Sequence, residues 1–135
     1  MKVLPHPATA ARGFSLIEIS LVIALLLALG TLAGLTITSV RNWQRGKDAA
    51  LSLRAVYSAQ RGYMADHPTA NIALVSTVQL QAYLPEGWSA MPVFTGLENE
   101  ALTLDHTVMP PKLYANGAIY DPSGKADDGL WDTGN

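Results

Sequence analysis

The strongest constraint on the fold of this chain is an uncharged, largely apolar run of 22 residues from Ile19 to Val40. Because a helix rises 1.5 Å per residue, a run of this length crosses the ~30 Å hydrocarbon core of a membrane. Glu18 stands at the head of the run and is the only charged residue between Phe14 and Val40. A carboxylate in the middle of a span costs ~2.5–3.5 kcal/mol on insertion scales, so we expect Glu18 to have a partner.

The residues before Glu18 suggest what that partner is. Arg12 closes a short basic leader, Gly13 is small enough for a cleavage site, and Phe14 starts the hydrophobic part. A secretory signal peptide is cut after its apolar core, whereas Gly13 lies before the core. Cleavage between Gly13 and Phe14 therefore leaves the apolar run on the mature chain and frees an amino group close to Glu18.

This arrangement resembles the N-terminus of the type IV prepilin and pseudopilin family. The resemblance covers the apolar run and the six residues Gly13, Phe14, Ser15, Leu16, Ile17 and Glu18. It implies that a prepilin peptidase cuts after Gly13 and methylates the new amine of Phe14. It also implies a structural filament subunit, in which Glu18 pairs with the Phe14 amine of an adjacent subunit.

The resemblance further implies a single-pass protein of the bacterial inner membrane, with its N-terminus in the cytoplasm and its head in the periplasm. Membrane lipid surrounds the span until an inner-membrane assembly platform extracts the subunit into a periplasmic or extracellular filament. Copies of this chain and related minor pilins or pseudopilins build that filament. Charge alone does not fix the orientation, because basic residues flank the span on both sides. They are Lys2 and Arg12 before it, and Arg41, Arg45 and Lys47 after it.

Two departures from the family pattern bear on the kind of filament. Leu35 lies in the region where many major pilins have a proline. The chain has no cysteine, so it lacks the pair that closes the C-terminal loop of many pilins. The missing pair favours a pseudopilin of a type II secretion system or a divergent pilin branch. Pilus and secretion pseudopilus, and major and minor subunit, both stay open.

The sequence predicts an α+β, pilin-like fold in which one long N-terminal helix packs on a small antiparallel sheet. Its parts are a leader at 1–13, a transmembrane or filament-core helix at 14–40, an amphipathic continuation at 41–67, and a globular head with a C-terminal loop at 68–135. Six apolar residues and Gln60 recur at helical spacing, which supports the continuation. These residues are Ala49, Leu53, Val56, Tyr57, Gln60, Tyr63 and Met64.

Shorter patterns predict the elements of the head. Ser76 to Gln79 has the spacing of a capping box, which predicts a short helix to about Leu84. Alternating apolar residues predict a strand over 102–108. Asn116-Gly117, between two short apolar runs, predicts a two-residue β-hairpin. The tail from Asp121 onward is predicted to be a loop.

Two features suggest binding, and each has a plainer alternative. Asp121, Asp127, Asp128 and Asp132 lie in a flexible glycine-rich tail, which suits calcium, although their spacing matches no EF-hand and acidic residues in such a tail are usually just solvated. Gly30 and Gly34 have the GxxxG spacing that lets membrane helices approach closely. Small residues are also common in membrane helices without such a contact.

Composition argues against other classes of function. Cleavage after Gly13 removes two of the 9 basic residues and none of the 11 acidic ones, which leaves a net charge of −4. Such a chain is a poor candidate for binding nucleic acid by charge. No histidine pair has metal-ligand spacing, and no nucleophile motif or phosphate-binding loop occurs, so we predict no enzymatic activity. The alternative to a filament subunit is a single-pass anchored periplasmic binding module that does not polymerise.

Overall fold

The computed structural model describes residues 13–134, except for the side chain of Leu35. The predicted leader therefore lies, apart from Gly13, outside the described residues. In chain order the elements are α1 (Leu16–Asp66), a 3-10 helix (Ile72–Leu74), α2 (Thr77–Gln81), β1 (Phe94–Thr95), β2 (Ala101–Asp105), β3 (Lys112–Ala115) and β4 (Ala118–Ile119). The chain divides into two units, one ending at Thr38 and one beginning at Ser39.

The first unit consists of the N-terminal part of α1 and the residues before it. This stretch is long and apolar enough to cross a membrane, and none of the side chains described between residues 13 and 38 is buried. The exposed set includes Leu16, Ile17, Leu21, Leu26 and Leu32. A helix that is apolar on every side requires an apolar environment, such as lipid or other helices.

In the second unit, the C-terminal part of α1 supplies one wall of the core. Of the seven residues predicted to form the apolar face, Tyr57 and Met64 are half-buried and the other five are buried. Leu53 is the centre of this face and has no solvent exposure. The helix ends at Asp66, as predicted, because a residue before proline, here His67, is pushed out of the helical region.

The other wall is an antiparallel sheet with the strand order β1-β2-β3-β4. Phe94, Leu102 and Leu113 point from the sheet into a cluster with Leu53, and Trp131 of the C-terminal loop completes it. Leu104 pairs with Leu113 across β2 and β3. The structure thus confirms an α+β layout, with a long N-terminal helix followed by a small four-stranded antiparallel sheet.

The predicted hairpin is confirmed. Ala115 pairs with Ala118, and the two loop residues Asn116 and Gly117 have φ of 51° and 81°. Positive φ at both positions is the property of a type I′ turn, which asparagine and glycine tolerate best. The tail from Asp121 to residue 134 contains no helix or strand, as predicted.

Other local predictions need correction. The capping box is confirmed, since Ser76 and Gln79 bond reciprocally, but α2 ends at Gln81 and not near Leu84. The strand predicted over 102–108 ends at Asp105. It ends there because the Asp105 carboxylate accepts hydrogen bonds from the N–H and hydroxyl of Thr107, at 2.9 and 2.6 Å, which turn the chain. Neither β1 nor the 3-10 helix was predicted from the sequence.

Candidate functional site

The start of α1 and the segment just before it contain Gly13, Phe14 and Glu18, for which the sequence predicts cleavage and subunit pairing. Gly13, Phe14 and Ser15 precede the helix without regular secondary structure, and all three are exposed. The Phe14 side chain is 76% exposed. The predicted cleavage position therefore lies in an exposed segment without regular secondary structure, directly before the helix.

Ser15 caps α1, a role that the sequence analysis missed. Its hydroxyl oxygen accepts a hydrogen bond from the N–H of Glu18 at 3.2 Å, and its carbonyl oxygen accepts from the N–H of Ile19 at 3.2 Å. The spacing from Ser15 to Glu18 is that of a capping box, so a local signal was present in the sequence. The cap explains why α1 begins at Leu16 and not at Phe14.

Glu18 lies in the first turn of α1. The free N–H groups and the dipole of a helix favour an anion at this position, by typically ~0.3–1 kcal/mol. Within residues 13–134, however, the Glu18 carboxylate accepts no hydrogen bond and forms no ion pair. The helix terminus thus lowers the cost of this charge, and no group within residues 13–134 occupies the carboxylate oxygens.

The side-chain hydroxyls of the apolar part of α1 are satisfied within the helix. Ser20 donates to the carbonyl oxygen of Ile17 at 2.9 Å, and Thr31 donates to that of Ala28 at 2.8 Å. Thr36 and Thr38 donate four residues back in the same way. Because these donors have acceptors on the same helix, they enter an apolar environment at little cost.

Gly30 and Gly34 have open space beside them. A Cβ built on either residue would meet nothing within 4 Å in this single copy. The two glycines are therefore available for a close approach of another helix, and that use of them remains a prediction.

The four aspartates of the tail are not brought together as metal ligands. Within the described residues, no group of three or more acidic or histidine side chains is arranged to hold a metal ion. The Asp132 carboxylate accepts hydrogen bonds from the backbone N–H groups of Gly129 and Gly134, each at 2.8 Å. Asp121 accepts from Ser123, and Asp128 accepts from the N–H of Leu130. These aspartates organise the loop, and calcium binding remains a prediction.

Two tyrosines join the sheet and loops to other parts of the head by polar contacts. Tyr83 donates to the Asp66 carboxylate at 2.9 Å, and this hydrogen bond is the main reason that the pKa of Tyr83 lies above its ordinary value. Burial is the main reason that the pKa of Tyr120 is raised, and its hydroxyl oxygen accepts from the N–H of Leu97 at 2.8 Å.

Comparison of the chain with protein-family models, with curated proteins and with solved structures found no match.

Proposed function

We propose that this chain is a structural subunit of a type IV pilus-like or type II secretion pseudopilus filament. In this proposal a prepilin peptidase cuts after Gly13, the subunit waits in the inner membrane with its head in the periplasm, and an assembly platform then adds it to the filament. The N-terminal part of α1 anchors the subunit before assembly and packs among neighbouring helices afterwards.

One observation carries the proposal. The N-terminal part of α1, which is apolar on every side, holds a single carboxylate, that of Glu18, in its first turn, and within residues 13–134 this carboxylate has no partner. The exposed Gly13-Phe14 segment directly precedes it. Cleavage there would create an amine, and a second copy could bring that amine to Glu18.

The proposed pairing specifies register more than it adds stability. Removing two opposite charges from water costs desolvation free energy, and this cost cancels much of the gain from their mutual attraction. A single unpaired charge in the same surroundings costs about 3–5 kcal/mol, so an arrangement that leaves Glu18 alone is disfavoured. The favoured register of neighbouring subunits is therefore the one in which Glu18 of one subunit lies beside the Phe14 amine of the next.

The experiment that tests the pairing compares Glu18→Ala with a matched change at Asp48, an exposed acidic residue on the same helix. We expect Glu18→Ala to be cleaved normally but to reduce filament yield at least about tenfold, the factor that ~1.4 kcal/mol produces. Asp48→Ala should assemble like the wild type. Filaments are counted by electron microscopy of negatively stained cells, and cleavage is followed by the change in mass.

Normal filament numbers from Glu18→Ala would contradict the role of Glu18. Loss of cleavage in Glu18→Ala would place the residue in peptidase recognition, and the variant would then carry no information on pairing. An uncut chain that stays monomeric in detergent would favour the single-pass anchored binding module.

A further inference from the structure

The charges of the second unit are divided between its helix and the rest of the head. Residues 41–66 contain five basic and two acidic residues, whereas residues 68–135 contain two basic and eight acidic residues. The helical part therefore has a formal net charge of +3 and the remainder one of −6. A chain with both charges on one folded unit attracts the opposite region of another copy.

The positive charge is concentrated on one exposed face of α1. Lys47, Leu51, Arg54, Ser58 and Arg61 follow one another at alternating steps of four and three residues, and so lie along one side of the helix. We call this stripe the basic face. Lys47 is half-buried and the other four residues are exposed. The basic face is separate from the buried face that carries Leu53.

Within residues 13–134, the three cations of the basic face have no carboxylate partner. The Nε of Arg54 donates to the carbonyl oxygen of Thr133 at 2.7 Å, and its Nη2 lies beside Gly129 and Gly134 of the C-terminal loop. The guanidinium of Arg61 lies 5.9 Å from the ring centroid of Tyr57, and the ammonium of Lys47 lies 5.8 Å from that of Trp43. Among residues 13–134 no carboxylate forms an ion pair with any of the three. The contacts that hold these three side chains within residues 13–134 are to a carbonyl oxygen and to aromatic rings, and not to an opposite charge.

Leu51 distinguishes the basic face from an ordinary solvated surface. This leucine is 58% exposed and lies between Lys47 and Arg54, one helical turn from each. An apolar side chain surrounded by basic groups is the pattern of a protein contact, with an apolar centre and a charged rim. The head carries matching acidic groups that are also free. Glu86, Glu98 and Asp127 are exposed, and within residues 13–134 their carboxylates accept no hydrogen bond.

We infer that the basic face of one copy docks on the acidic head of a second copy. The inference rests on the proposed function, because a filament brings copies side by side. Each copy offers both surfaces, so the contact is heterologous and repeats along an open helical assembly. A polyanion such as nucleic acid, or an anionic lipid surface, is a less suitable occupant because the head, with a net charge of −6, repels it.

The test uses single cysteines, since the natural chain has none. Two full-length versions with different epitope tags are expressed together in the native cells. One carries Ser58→Cys, at the centre of the basic face, and the other carries Glu86→Cys, Glu98→Cys or Asp127→Cys. Mild oxidation should give a disulfide-linked species with both tags for at least one of the three head positions. A link within a single chain is excluded, because each chain has only one cysteine.

Charge reversal tests whether electrostatic attraction between the basic face and the acidic head produces the disulfide-linked dimer. Adding Arg61→Glu to the Ser58→Cys chain should lower the yield of the mixed dimer by on the order of fivefold, the effect of ~1 kcal/mol. Arg61 is suited to this change because its contact in the head is limited to the Tyr57 ring, whereas Arg54 also holds the tail. Lys112→Glu changes the net charge equally at an exposed residue outside the basic face, and should leave the yield unchanged.

A control pair separates failure of this inference from failure of the proposed function. Leu26→Cys places a cysteine on the exposed apolar part of α1, where packed subunits should link to each other. If Leu26→Cys forms dimers and no head position links to Ser58→Cys, the docking inference is wrong and the filament proposal stands. If neither links, both fail.

Two further outcomes overturn the inference. A strong link between two Ser58→Cys chains would show that the basic faces meet each other. If Arg61→Glu weakens binding of the purified chain to vesicles of phosphatidylglycerol and phosphatidylethanolamine but leaves the mixed dimer unchanged, the face binds lipid.

Discussion

The backbone N–H of Trp131 donates to the carbonyl oxygen of Gly46 at 3.1 Å, and this bond fastens the C-terminal loop to α1. The indole ring lies against the same glycine, where a Cβ would be 2.9 Å from the indole Nε1. Trp131 is buried and meets the ring of Tyr120 edge-on, with centroids 5.1 Å apart. A loop without secondary structure thereby becomes part of the core.

Gly46→Ala should destabilise the head by about 1–3 kcal/mol, because the new methyl group overlaps the indole of Trp131. The matched control is Gly30→Ala, where a Cβ meets nothing within 4 Å. Urea denaturation of the full chain in detergent, followed by tryptophan fluorescence, measures the difference. Equal stability of the two variants would show that the C-terminal loop moves to accommodate the methyl group without lowering the free energy of unfolding.

Leu53→Ala should cost about 2–5 kcal/mol, because Leu53 has no solvent exposure and its removal leaves a cavity between helix and sheet. Leu51→Ala removes the same atoms two residues earlier, on the exposed side of α1, and should change stability by less than ~0.5 kcal/mol in the monomer. Thermal unfolding followed by circular dichroism compares them. Similar losses for both would contradict the orientation of α1 on the sheet.

Gln60 is a buried polar residue that holds the segment after β2. Its Nε2 donates to the carbonyl oxygens of His106 and Val108, both at 2.8 Å. Gln60→Leu leaves these two acceptors without a donor, and we expect a loss of about 1–3 kcal/mol. The loss is limited because the buried Oε1 of Gln60 already has no partner within residues 13–134. Gln44→Leu, at an exposed position of the same helix, should be close to neutral in the same chemical denaturation assay.

Acid should weaken the head partly through Asp105. Hydrogen bonds from the hydroxyl and then the N–H of Thr107 hold the pKa of the Asp105 carboxyl below its ordinary value. A lowered pKa gives stability that is present above the unfolded-state pKa and is lost as the pH falls through the folded-state pKa.

Thr107→Val removes the hydroxyl and keeps the shape of the side chain. We expect the pKa of Asp105 to move up toward its ordinary value, and the stability difference between pH 7 and about pH 3 to shrink. Carboxyl chemical shifts in an NMR titration report the pKa directly. Thr103→Val, on the exposed side of β2, is the control and should leave that titration unchanged.

The parts of the fold that the sequence predicts are those with a local cause. The long helix follows from periodicity over many turns, and the hairpin follows from Asn116-Gly117. β1 is two residues long and exists because Phe94 pairs with Leu102, a contact that no local pattern reveals. The strand predicted as far as Val108 was too long because alternation continues past the Asp105–Thr107 turn.

In the candidate site, too, features with a local cause can be predicted from the sequence, whereas features that depend on distant residues cannot. The cap at Ser15 was readable from the spacing of Ser15 and Glu18. The roles of Gly13, Phe14 and Glu18 in cleavage and pairing stay predictions. The role of Trp131 was not readable, since it depends on a glycine in a distant part of α1. The fate of the four tail aspartates depended on which backbone N–H groups the loop turned toward them, as Asp132 shows.

Mass spectrometry of the N-terminus of the chain isolated from its native membranes shows whether Phe14 carries the free amine that pairing with Glu18 requires. We expect a mature chain that begins at Phe14 with a methylated amine. A chain that retains Met1 would contradict this expectation, because without a free amine at Phe14 the carboxylate of Glu18 has no proposed partner.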